Sequence, residues 1–208
     1  ASVSGSAAKK ALGAPEAAES SPLIVFGKAG LSLDLIVSAS KDELRAVTSL
    51  GDAAKLKNAI ASIKNGTASF NQIVDIAVTA KSTGASIDLE EIQGRAEIIQ
   101  TYEKSGISGA ELVAKIAALK NPNATVNIAA EKNSANVISS GGDTSLLVLQ
   151  SSLESASVSS THIATIISAY GTTYSNLSET NKATFVTNIA SAFTGNYNIY
   201  CCGAYYGC

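Results

Sequence analysis

The chain has 208 residues, enough for one domain with a real core, and its 46% hydrophobic content excludes a disordered polymer. The net charge is −2 and no basic run exceeds the pair Lys9 and Lys10, so there is no electrostatic footprint for nucleic acid. Aromatic residues make up 5%, and Trp and Met are absent. The core must therefore be built from Ala, Ile, Val and Leu, with Ser and Thr supplying much of the wet surface.

Residues 1–22 are small and polar, with Pro15 and Pro22, and read as an N-terminal arm. The small-residue start and the missing methionine suggest a cleaved targeting peptide, so export to the extracellular space or an organelle lumen is the expectation. Residues 23–195 read as a helical domain. Its first apolar run, Leu23 to Val37, contains Lys28 and Asp34 and is too short to span a bilayer. A buried core helix is expected there, with a membrane-surface segment as the other reading.

Ser40 and Glu43 form a capping box ahead of a helix from Lys41 to Leu50 that stops at Gly51. Asp52 caps the next helix, where Leu56, Ile60 and Ile63 share a stripe before Asn65-Gly66. Ser69 opens a third, with Phe70, Ile73, Val74 and Ala77 on one face and Gly84 at its end. Ser86 is expected to open a longer helix carrying Leu89, Ile92, Ala96 and Ile99. A second capping box, Ser108 and Glu111, precedes a stripe of Leu112, Val113, Ile116 and Leu119 that Asn121-Pro122 ends.

Asn127, Asn133 and Asn136 dilute the pattern from Val126 to Ile138, where a weaker helix is expected. After Gly141-Gly142, Asp143 caps a short helix with Leu146, Leu149 and Leu153. Ile163, Ile166, Ile167 and Tyr170 line the next, which Gly171 is expected to end. Ser178 caps the last, with Phe185, Ile189, Ala192 and Phe193 in line before Gly195. No strand-like alternation competes. The expected fold is all-α, a bundle of about eight short antiparallel helices, with a short solenoid of helical pairs as the alternative.

Little in this chain points to catalysis. The single histidine, His162, opens a predicted helix with no Gly-x-Ser-x-Gly elbow to hold a nucleophile, and zinc sites built on paired His are excluded. Acids cluster at Asp42 and Glu43 and at Asp88, Glu90 and Glu91, in first turns where the helix dipole favours negative charge. Gly106-Ile107-Ser108-Gly109 is a helix stop followed by a start and not a phosphate cradle. Neither an enzyme nor a cofactor is expected. Sequons at Asn65, Asn123 and Asn176 are glycosylation candidates.

The tail, residues 196–208, holds all three cysteines and four of the seven tyrosines. Cys201 and Cys202 are adjacent and would bridge each other only with strain, so one of them pairing with Cys208 leaves a thiol over. The leading reading joins an intrachain bridge to an intersubunit contact, with Tyr197, Tyr200, Tyr205 and Tyr206 as interface aromatics. An inert tail and a metal or prosthetic-group site are the alternatives. The functional expectation is a non-catalytic structural or assembly subunit in a homo-oligomer or larger complex. A helical carrier of a small apolar ligand or pigment is the second reading.

Overall fold

The computed structural model describes residues 21–141 and 143–194. Among them are eleven α-helices and no strand, so the all-α fold is present. In chain order they are α1 Pro22–Ala29, α2 Leu33–Ser38, α3 Lys41–Thr48, α4 Ala53–Lys64, α5 Phe70–Thr83 and α6 Leu89–Lys104, followed by α7 Ala110–Lys120, α8 Ile128–Gly141, α9 Ser145–Ser155, α10 Ser160–Ser175 and α11 Glu179–Phe193. No helix among the described residues is long and apolar enough to cross a membrane.

Residues group into two units. Among the described residues the first holds 21–100 together with Ile116–Thr125, and the second holds Thr101–Lys115 with 126–141 and 143–194. In the first unit α3 packs on α5, and α1 packs on α3 and α4. Its core is the set of aliphatic stripes expected from spacing: Leu44 and Val47, Leu56 and Ile60, Ile73 and Ala77, then Leu89, Ile92, Ala96 and Ile99, all nearly or wholly buried. In the second unit α10 packs on α8 and α9, and α11 leans on α9. Leu146, Leu149, Leu153, Ile163, Ile166 and Ile167 fill its interior.

Several local signals act as their chemistry requires. Ser40 Oγ accepts from the Glu43 amide while Glu43 Oε1 accepts from the Ser40 amide, both at 3.2 Å. Asp52 and Ser178 cap α4 and α11 through the amides of Lys55 and Asn181. At the start of α9 the N-cap is Thr144 and not the expected Asp143, which accepts from the Ser145 amide at 2.9 Å from one position further out.

Other expectations are corrected. The run from Leu23 to Val37 is not one buried helix: Gly30, at φ 96°, ends α1 in the left-handed region and splits the run in two. Ser86 does not cap α6; Asp88 does, accepting from the Glu91 amide at 2.9 Å. α7 begins at Ala110, after Gly109 at φ 137°, and not from a box built on Ser108. Val113 is 69% exposed because it sits a quarter-turn away from the face shared by Leu112 and Leu119. Asn127, which weakens the apolar pattern, caps α8 by accepting from the Ala130 amide at 3.1 Å.

Gly171 does not end α10, which runs on to Ser175. It is buried, and a Cβ there would meet Leu146 Cδ1 at 3.4 Å and Val137 Cγ1 at 3.5 Å, so its smallness lets neighbouring helices approach. Gly51 has a similar role. A Cβ on it would lie 2.7 Å from Leu89 Cβ, where the Leu89 amide donates to Leu50 O at 2.7 Å.

Candidate functional site

Three places concentrate side chains that local helix formation does not require. The first is a buried polar cluster in the second unit, to which four helices each contribute. Lys115 of α7 donates through Nζ to Glu131 Oε1 of α8 at 3.3 Å and to Glu154 Oε1 of α9 at 2.5 Å. Its side chain is 12% exposed, against 9% for Glu131 and 40% for Glu154. Gln150 of α9 donates from Nε2 to Glu131 Oε2 at 3.2 Å. Tyr102 of α6 is wholly buried. Burial first, and then the Glu131 and Glu154 carboxylates, hold its phenol well above the usual range, so it stays protonated at ordinary pH.

Two atoms of this cluster have no hydrogen-bond partner: Tyr102 Oη and Gln150 Oε1. An orphaned buried polar group costs about 1–3 kcal/mol, which is large against the margin by which a domain is stable.

The second place belongs to the first unit. Arg95 of α6, with a side chain only 2% exposed, sends its guanidinium to the C-terminal end of α7. Nη1 donates to Leu119 O at 3.2 Å and to Asn121 O at 2.7 Å, while Nη2 donates to Ala124 O at 2.6 Å and to Glu91 Oε1 at 3.0 Å. The last carbonyls of a helix lack intrahelical donors and carry its negative dipole end, so a buried planar cation satisfies both needs. The local sequence shows only the four-residue spacing from Glu91, because the three carbonyl acceptors of Arg95 lie 24 to 29 residues away.

The third place is apolar. On α1 and α2, which pack on each other, Leu23 and Ile24 are 47% and 42% exposed, and Leu33 and Val37 are 72% and 70% exposed. Leu33 and Val37 stand one turn apart on the same face of α2. Phe26, Leu31 and Ile36 turn inward instead, Phe26 meeting Phe70 edge-on at 6.4 Å.

The residues singled out by sequence do not assemble into one site. The His162 ring lies against Phe193 at 4.9 Å. Phe185 of α11 takes edge-on contact from Tyr170, which is 43% exposed instead of facing the core, while Tyr174 is buried. Asp42 pairs with Arg45, Glu91 with Arg95, and Asp88 with Lys55 at 2.8 Å. A shallow groove of about 620 Å³ runs between α8 and α10, lined by Asn127, Ala129, Asn133, Thr165, Ser168 and Ala169 among others. It is open, with mixed polar and apolar walls. Among the described residues no three His, Cys, Asp or Glu side chains cluster closely enough to hold a metal ion.

Asn65 and Asn176 are exposed at the C-terminal ends of α4 and α10, and Asn123 is exposed in the loop after α7. Cys201, Cys202, Cys208, Tyr197, Tyr200, Tyr205 and Tyr206 lie outside the described residues. No protein-family model, curated protein or solved structure matches this chain.

Proposed function

We propose that the chain is a non-catalytic assembly subunit whose helical body makes homotypic or larger-complex contacts, with the Tyr/Cys-rich tail as a second point of attachment. The supporting observation is the exposure of four aliphatic side chains, Leu23, Ile24, Leu33 and Val37, on the packed pair α1 and α2. Isolated surface aliphatics need no explanation, but four on one packed helix pair form the type of patch that proteins cover with a partner. Full burial of such a side chain is worth about 1.5–3 kcal/mol, so covering what remains exposed on these four would supply a useful share of an interface. In this reading the chain works outside the reducing cytosol, where Cys201, Cys202 and Cys208 would pair within or between subunits.

Light scattering over a concentration series tests the reading. Wild type should self-associate, and L33D together with V37D should shift the population to monomer with helix content unchanged, because both positions face solvent in the single chain. A wild type that stays monomeric throughout and pulls down no partner through these side chains would remove the proposal. Non-reducing electrophoresis reads the tail separately.

A further inference from the structure

We propose that residues 195–208 of this chain dock in the groove between α8 and α10, with their tyrosines laid against its floor. The inference is independent of the assembly role. Two contacts fix where the groove stands relative to the end of the described chain. Phe193, the last residue of α11, lies against the His162 ring at 4.9 Å, and His162 follows Thr161 in the first turn of α10. Thr161 Oγ1 accepts from Asn127 Nδ2 at 3.3 Å, and both residues line the groove, so this contact marks one of its ends. The chain therefore leaves α11 beside that end. Crossing a helix about 10–12 Å wide takes three or four extended residues at about 3.3–3.6 Å each. The α10 wall from Thr161 to Ala169 is about 12 Å long, so the rest of the segment is long enough to fill it.

The lining selects the occupant. None of the side chains around this groove of about 620 Å³ is charged. Ala130 and Ala164 are buried in its floor, while Asn127, Asn133, Thr161, Thr165 and Ser168 place amides and hydroxyls around it. An aromatic ring that buries its body and hydrogen-bonds at its tip suits that mixture. Residues 195–208 hold four tyrosines and two asparagines and no charged side chain, so docking them strands no ion. The exposed aliphatics Leu23, Ile24, Leu33 and Val37 of a second copy would instead leave the polar walls unmatched. Tethering adds to the choice. A segment joined to the chain beside the groove is present at about millimolar effective concentration, so contacts too weak to hold a free peptide are sufficient.

Chymotrypsin reads the docking, because Tyr197, Tyr200, Tyr205 and Tyr206 are its cleavage sites in the segment. The full chain is kept in reductant, so that no disulfide can protect it, and release of the segment is followed by mass spectrometry. S168W and, separately, T165W fill the groove from exposed positions, and circular dichroism checks that helix content is unchanged. Each variant should lose its segment about tenfold faster than wild type, since cleavage follows the undocked population. Equal rates in wild type and both variants overturn the proposal. So does protection that grows with protein concentration, which would place a second copy in the groove. A second measurement leaves the groove unfilled: a nitroxide on N133C, in a C201S, C202S and C208S background, should broaden the amide signals of residues 197–206. Unbroadened signals there overturn the proposal as well.

Discussion

Arg95 and Lys115 are both cations withdrawn from water, and each is neutralised in a way suited to its own head group. Arg95 spreads a planar charge over three backbone carbonyls and one carboxylate, and three of its partners lie within one short stretch from Leu119 to Ala124. Lys115 places a compact charge between two carboxylates on different helices. The first arrangement is a backbone cap delivered from a distance, so its geometry is specific to a fork of N–H donors. The second is an ion cluster whose members could be rearranged, and whose surroundings still leave Tyr102 Oη and Gln150 Oε1 to be satisfied. Charge alone therefore does not describe a buried cation; the acceptor set decides whether Lys could replace Arg.

The largest expected effect comes from R95A. It strands the carbonyls of Leu119, Asn121 and Ala124 in a site that excludes most water, and should cost on the order of 4 kcal/mol in denaturant unfolding. R95K should recover little, because an ammonium cannot reproduce the fork; recovery to within about 1 kcal/mol of wild type would erase the contrast with Lys115.

K115M should cost less, about 2–3 kcal/mol by the same measurement, since Glu154 is 40% exposed and Glu131 keeps Gln150. Replacing Glu131 with Met in the K115M background should return part of that loss, because no buried carboxylate is then left unpaired. A further loss in the double variant would show that the cluster holds the fold more firmly than its ion pairs suggest.

The smallest effect belongs to the exposed counterpart, Lys55 and Asp88, whose side chains are 34% and 47% exposed. The hydrogen bond from Lys55 first, and the Glu91 amide second, hold the Asp88 carboxyl below its usual value of 3.8. A depressed folded-state pKa contributes stability that is present above the unfolded value and disappears as pH falls through the folded one. Stability should therefore fall slightly faster below about pH 4 in wild type than in D88N, and the difference should shrink in high salt. Parallel acid limbs would mean that the pair contributes nothing measurable.

The helices were largely legible because their evidence is local. Ser40 and Glu43, Asp52, Ser178 and the stripes through Leu56, Ile60, Ile73 and Ile92 announce themselves within one or two turns. Sequence pattern and structure part where neighbours compete or where a distant helix intervenes. Ser86 and Asp88 are both competent caps, and Asp88 prevails with Lys55 paired to its other oxygen. Gly171 resembles a stop signal, yet its missing side chain is used against Leu146 and Val137. The buried cluster was still less visible: Tyr102, Lys115, Glu131, Gln150 and Glu154 have ordinary surface-helix spacing, and only packing brings them together.

Period and punctuation along the chain determined that these segments coil, where most of them begin and which face of most of them turns inward, since a helix satisfies its own backbone within four residues. Tertiary structure alone decided which polar residues followed them inside. Burying Arg95 or Lys115 is tolerable only when acceptors from elsewhere in the fold arrive at hydrogen-bond distance, and no pattern shorter than the fold itself records that meeting.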